Sequence, residues 1–138
     1  DTGKATVNKH LTKKTFDFQG FNYADGSGLS RSNVITPMSQ VKFLSELMNE
    51  KHFDSYFKSL PIGGQTGTLR SMFLNTEAYG QVFAKTGTLN RVKTLAGYIK
   101  TKKGKLLTFS LLINNYNGSV AQVKKKMESI LIPILDLK

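Results

Sequence analysis

A chain of 138 residues with ordinary apolar content points to a single globular domain. No window approaches the roughly 18 consecutive apolar residues of a membrane-spanning helix, and the absence of cysteine excludes disulfides and thiol-ligated metals. The net charge of +11 comes mostly from lysines gathered at Lys9, Lys13 and Lys14, at Lys100 to Lys105 and at Lys124 to Lys126; these runs read as a solvated face, and they lack the arginine and aromatic interleaving of a base-stacking surface, so nucleic acid is not favoured as a partner.

The pattern predicts a short helix over 4–13 with Ala5, Val7 and Leu11 partly inward, then an aromatic stretch from Phe16 to Tyr23 running as a loop into a short strand. Asp25-Gly26-Ser27-Gly28 reads as an ordered turn. Thr36 caps a helix with Pro37 at its first position, and Val41, Leu44, Leu47 and Met48 recur at helical spacing to about Glu50. A second short helix is expected over Phe53 to Leu60, stopped by Pro61 and Gly63-Gly64, and a turn or helix over Thr66 to Phe73.

From Gln81 the character changes. Three strand-like runs follow, at 81–87, 92–100 and 105–115, and Lys102-Lys103-Gly104 reads as the hairpin turn between the last two. The third run is apolar on both faces, which predicts a central strand covered on both sides. Ser119 with Gln122 suggests a capping box, and the helix after it offers Val120, Val123, Met127, Ile130, Leu131 and Ile134 to the sheet until Pro133 kinks or ends it. The layout is α+β: helices first, then an antiparallel sheet of at least three strands closed by a C-terminal helix.

Lys85-Thr86-Gly87, at the end of the first run, carries the most chemical information. An ammonium and a hydroxyl on an edge strand can hold a substrate carboxylate, and a glycine beside them lets another backbone lie flat against the strand. Other groups offer little. His10 and His52 lack metal spacing, no metal site or cofactor is expected, Asp17, Asp25 and Asp54 form no acid pair, and Tyr98 reads as core.

With Lys85-Thr86-Gly87-Thr88-Leu89 on a strand followed by Leu95-Ala96-Gly97-Tyr98, the chain resembles the penicillin-binding proteins, more narrowly the C-terminal part of DacB-like D-alanyl-D-alanine carboxypeptidases/endopeptidases. Asp25-Gly26-Ser27-Gly28-Leu29-Ser30-Arg31, Asn33, Thr36-Pro37, Leu60-Pro61-Ile62-Gly63-Gly64 and Gly67-Thr68-Leu69 match that family's motifs in order. The resemblance implies a β-lactamase/transpeptidase-like fold, with residues 1–138 forming the C-terminal part, about the last third, of a catalytic domain in an envelope enzyme. It implies a serine acyl-enzyme acting on peptidoglycan stem peptides, with β-lactams as the other ligands.

In that frame Lys85 holds charge near the nucleophile and helps bind the terminal carboxylate, Thr86 hydrogen-bonds that carboxylate, and Gly87 lets the peptide lie against the strand. The Thr88 N–H forms half of an oxyanion hole, and Leu29, Arg31, Thr88, Leu89 and Asn90 are candidates to bind the stem-peptide side chain. A salt bridge from Arg31 to Asp25 is the competing reading of that arginine.

The family's Ser-x-x-Lys and Ser-x-Asn motifs are expected in an N-terminal part outside this chain, leaving the fragment inactive alone. Two Ser-x-x-Lys strings occur, Ser39 to Lys42 and Ser55 to Lys58; a serine- and lysine-bearing chain of this length yields about one or two by chance. No Ser-x-Asn triplet occurs. From a different class, a non-catalytic polyanion-binding module using the lysine clusters is the alternative, and self-association of the fragment, as a homodimer, is a further expectation.

Overall fold

The computed structural model of the chain describes residues 2–14, 16 and 19–138. Helices Thr2–Lys13 (α1), Pro37–Leu47 (α2) and Phe53–Ser59 (α3) precede strands Val82–Leu89 (β1), Val92–Lys100 (β2) and Leu106–Asn114 (β3); helix Val120–Leu131 (α4) follows. The strands form one antiparallel sheet in the order β1-β2-β3. The expected loop over 16–23 falls partly on residues outside the described set, as does Asp17; its strand-like end survives as a single bridge between Asn22 and Val34.

Alternation along the strands gives the sheet two covered faces. Val82 and Ala84 of β1, Leu95 and Ile99 of β2 and Phe109 of β3 share a core with Val123, Met127 and Leu131 of α4 and with Leu69, Met72, Phe73 and Leu135. Phe83, Ala96, Tyr98 and Leu106 face the other way, into Leu44, Leu47 and Met48 near α2 and Phe53, Tyr56 and Phe57 of α3. Tyr98 is fully buried there, ringed by Phe53, Tyr56 and Phe57, and its hydroxyl donates to the Leu44 carbonyl at 2.8 Å. Burial raises its phenol pKa above the usual range, so it is a core residue that ties the sheet to α2.

The local signals act as the sequence suggests. The Thr36 side chain accepts from the Ser39 N–H at 3.1 Å with Pro37 in the first turn of α2, and Ser119 and Gln122 close a capping box on α4. Leu60, before Pro61, is extended and ends α3. The Lys102–Gly104 turn is closed by Thr101 N–H to Lys105 carbonyl at 2.8 Å. At Pro133, α4 gives way to a 3₁₀ turn over Ile132–Asp136.

Three expectations need correction. The middle strand is β2, and β3 borders the sheet among the described residues; its two apolar faces are explained by helices, α4 on one side and α2 on the other, where Ser110 Oγ bonds Gln40 Oε1 at 2.7 Å. Helix α2 stops at Leu47, because Met48, Asn49 and Glu50 bond three residues back in tightened turns. Over 66–73, where a turn or helix is expected, the chain makes a 3₁₀ turn at Gly67–Leu69. Ala5 is exposed on α1, while Leu11 is buried.

Gly97 sits where β2 presses on β1. A Cβ there would lie 2.2 Å from the Phe83 carbonyl oxygen and 2.6 Å from the Ala84 Cα, both backbone atoms that cannot step aside. Gly97→Ala is therefore expected to cost about 1–3 kcal/mol or more, read as a lowered urea midpoint; an unchanged midpoint would mean that the two strands do not approach this closely.

Candidate functional site: the open edge of the first strand

In an antiparallel strand the N–H and C=O of one residue point to the same side, and the sides alternate. The Val82 carbonyl accepts from Gly63 N–H at 2.8 Å and the Ala84 N–H donates to the Pro61 carbonyl at 3.0 Å, so the even residues of β1 face away from β2. The Gln81 carbonyl accepts from Lys100 N–H at 2.9 Å, so the odd ones face toward it. By this parity the N–H and C=O groups of Thr86 and Thr88 point outward. The 61–63 segment, bridged through Ile62 to Phe83, covers the outer edge only as far as Ala84. Beyond it, no backbone among the described residues pairs with that edge; the exposed Lys85 ammonium donates to the Thr86 carbonyl at 2.9 Å.

The side chains divide by the same alternation. Lys85, Gly87 and Leu89 lie on the face of Phe83, and Thr86 and Thr88 on the face of Val82 and Ala84. Gly87 is pressed from across the sheet, since a Cβ there would meet Thr94 Oγ1 at 2.5 Å. Opposite Thr88 stands Lys93, whose ammonium donates to Thr88 Oγ1. Lys93 is buried, and desolvation first, then Lys124 and Lys85, push its pKa down.

Asn90 and Arg91 make the two-residue turn between β1 and β2, with Arg91 at φ 56°. The Arg91 guanidinium donates to the Asn115 carbonyl at 3.2 Å, to Asn117 Oδ1 at 2.9 Å and to the Tyr116 carbonyl at 3.3 Å. It thereby ties the tip of the hairpin to the loop before α4. Sequence reasoning passed over both Arg91 and Lys93. The signal for Lys93 was a lysine in phase with Leu95, Gly97 and Ile99, on the buried face of its strand.

The loop over 25–33 is organised from within. Asn33 Oδ1 accepts from the N–H groups of Ala24 and Asp25 at 2.7 and 3.2 Å, and Asn33 Nδ2 donates to Asp25 Oδ1 at 2.8 Å. Asp25 also accepts from Ser27 Oγ at 3.0 Å and from Gly28 N–H at 3.2 Å. Asp25 spends its oxygens on these donors, and among the described residues it forms no salt bridge with Arg31. The loop holds Leu29 outward, 69% exposed, with Arg31 exposed beside it. No hydrogen bond or ion pair among the described residues joins this loop to β1. Lys85 to Asn90 stand together on the hairpin, and Leu29 and Arg31 on a separate loop.

Neither internal Ser-x-x-Lys string offers a nucleophile. Ser39 is buried, with its hydroxyl bonded to Thr36 Oγ1 at 2.7 Å and to the Gln19 carbonyl at 3.3 Å. Ser55 is exposed, but Lys58 pairs with Asp54. Lys102 bridges Glu77 and Asp136, which removes one cation from the 100–105 cluster. Both histidines are exposed, and among the described residues no His, Asp and Glu converge to hold a metal. Two concavities of about 560 and 550 Å³ lie elsewhere, one along Gln81 and Lys100–Gly104, the other between Ile113 and Lys126. The β1 edge joins outward backbone donors to the Lys85 ammonium and the Thr86 and Thr88 hydroxyls.

Comparison with known proteins agrees across sequence and structure. Residues 1–132 match the model of the D-Ala-D-Ala carboxypeptidase 3 (S13) family. The chain is 35% identical over 123 residues to a D-alanyl-D-alanine carboxypeptidase of Actinomadura sp. (strain R39), covering 86% of this chain and 23% of that protein. It is 31% identical over 126 residues to the D-alanyl-D-alanine carboxypeptidase DacB of Haemophilus influenzae, covering 90% and 26%. The chain thus spans about a quarter of the length of these relatives. It superposes on penicillin binding protein 4 (dacB) from Haemophilus influenzae with a TM-score of 0.88 and 26% identity, over 98% of this chain and 32% of that one. The TLA-1 extended spectrum β-lactamase, at 15% identity and a TM-score of 0.76, shares the fold.

The hydrogen bonds from Asn33, and then those from Ser27 and Gly28, hold the Asp25 carboxyl below its ordinary value of 3.8. A depressed carboxylate favours the ordered loop above the unfolded pKa and loses that contribution as pH falls through the folded one. The amide signals of Gly28 and the Asn33 side chain are expected to shift together in an NMR titration with a midpoint below 3.8; a midpoint at or above that value would contradict the bonding described.

Proposed function

Because the chain belongs to the D-Ala-D-Ala carboxypeptidase 3 (S13) family, we propose that it is the C-terminal part of a serine-type D-Ala-D-Ala carboxypeptidase/endopeptidase, and that the β1 edge is one wall of its peptide groove. The observation that carries this reading is the outward edge of Thr86 and Thr88, paired with no other backbone among the described residues, beside the exposed Lys85. A peptide laid against that edge gains backbone hydrogen bonds, as a strand added to a sheet does. At Gly87, on the same stretch, a Cβ would meet Thr94 Oγ1 at 2.5 Å.

In this reading the nucleophilic serine and its lysine come from polypeptide outside residues 1–138, since Ser39 and Ser55 do not qualify. The serine attacks the carbonyl between the two D-alanines, its proton passes to a base and on to the departing amine, and D-alanine leaves. Water then hydrolyses the acyl-enzyme. The Thr88 N–H faces the developing oxyanion; a donor in that role is worth about 2.7–4 kcal/mol of barrier. The Thr86 hydroxyl and the Lys85 ammonium take the substrate's terminal carboxylate. Leu29, Arg31, Leu89 and Asn90 line the approach of the stem-peptide side chain.

The natural substrate is a peptidoglycan stem peptide, met in the cell envelope outside the cytoplasm. β-Lactams are the suicide substrates, and the Haemophilus influenzae penicillin binding protein 4 of the same fold has been solved with a novel β-lactam. The remaining polypeptide of the same enzyme is the chain's partner, and residues 1–138 alone are inactive.

The test is β-lactam acylation and D-alanine release by the whole enzyme that carries this segment. Lys85→Ala and Thr86→Val are expected to lower both by roughly 10²–10³-fold, while Lys125→Ala with Lys126→Ala leaves them unchanged. Residues 1–138 alone should form no adduct. Full acylation of the Lys85→Ala enzyme would refute the proposal. Salt-sensitive polyanion binding lost with Lys125 and Lys126, without peptidase activity, would replace it with a binding module.

A further inference from the structure

Lys93 is a charge in the wrong place for a structural residue. It occupies the inward face of β2 in line with Leu95, Gly97 and Ile99, beside Ile113 of β3, and is 5% exposed. Burying an ammonium costs several kcal/mol unless an anion meets it. Its bonded neighbour is Thr88 Oγ1, a neutral group, and among the described residues no carboxylate forms an ion pair with it. The charges that reach it are the ammonium groups of Lys124 and Lys85, which repel it. A methionine would fill the same space without that cost.

The direction of the hydrogen bond gives the lysine a use. An ammonium donates and cannot accept. Thr88 Oγ1 therefore accepts from Lys93, and its own proton is left to be donated elsewhere. Thr88 is exposed, at a position opposite Lys93 where facing side chains stand close because the backbones do not bond there. Thr86, two residues earlier, presents its hydroxyl on the same face. A group with two acceptor oxygens, laid along the open edge, would meet both hydroxyls with positive charge behind one of them.

Resting on the peptidase reading above, we propose that Lys93 is a positioning residue for the free carboxylate at the end of the substrate. It turns the Thr88 hydroxyl outward as a donor and sets a positive potential behind it, so the site prefers peptides ending in a carboxylate over the same peptides ending in an amide. Lys93 touches Thr88 and not the reacting atoms. Its effect is on which substrate ends are accepted.

The experiment compares kcat/KM of the whole enzyme on a peptide ending in D-Ala-D-Ala and on the same peptide ending in D-Ala-D-alaninamide. Lys93→Met is expected to lower the ratio of acid to amide about tenfold or more, and Lys93→Arg, which keeps the donor and the charge, to restore most of it. The thermal midpoint of Lys93→Met should be unchanged or higher, since a costly buried charge is gone. An unchanged acid-to-amide ratio in Lys93→Met would overturn the inference alone, and a lowered midpoint would overturn it by showing a structural ion partner. A wild-type enzyme that cleaves neither peptide would instead defeat the peptidase reading on which the inference rests.

Discussion

The hydrogen-bonding parity of β1 governs everything the site can do. Its odd residues spend their backbone groups on β2, and its even residues turn theirs away. The 61–63 segment covers the first two of those even residues and then leaves the strand. Had it run two residues further, Thr86 would be sealed and nothing could dock. The abrupt end follows from the chain itself: Pro61 has no N–H to give to the Ala84 carbonyl, and Ser59, which the same register would set against Thr86, is the last residue of α3.

The two helical layers serve this edge by fixing the sheet from both sides. Tyr98 anchors β2 to α2 through one buried hydrogen bond and three aromatic contacts. The Val123, Met127 and Leu131 stripe of α4 grips the opposite face. Between them β1 and β2 approach too closely for a side chain at Gly97, and a Cβ at Gly87 would meet the Thr94 hydroxyl. Arg91 braces the far end of the hairpin against the loop before α4. The result is a rigid strand with one free side, the support that a positioned hydrogen-bond donor needs.

Much of this was legible in the residues. A lysine, a hydroxyl and a glycine closing an apolar run marked the strand whose outer edge stands open, and the Ser119–Gln122 box, the Thr36-Pro37 start and the Lys102–Gly104 turn marked their elements, because each signal is local. The position of β3 was not legible, since a strand covered on two faces by helices has the same apolar pattern as one flanked by strands. The end of α2 was missed because its turns tighten without losing their spacing. Lys93 was passed over, and the register sets it inside the sheet opposite Thr88. Whether Leu29 and Arg31 meet the strand is a matter of long-range geometry that a loop bonded within itself does not encode in its residues.

The most direct test of the open edge is hydrogen exchange at single amides of β1, before and after acylation of the whole enzyme by a β-lactam. The account predicts that the Gly87 and Leu89 amides are protected throughout by β2, while those of Thr86 and Thr88 exchange fast in the free protein and Thr88 becomes protected on acylation. A Thr88 amide already protected in the free enzyme, or one that acylation leaves unchanged, would contradict it.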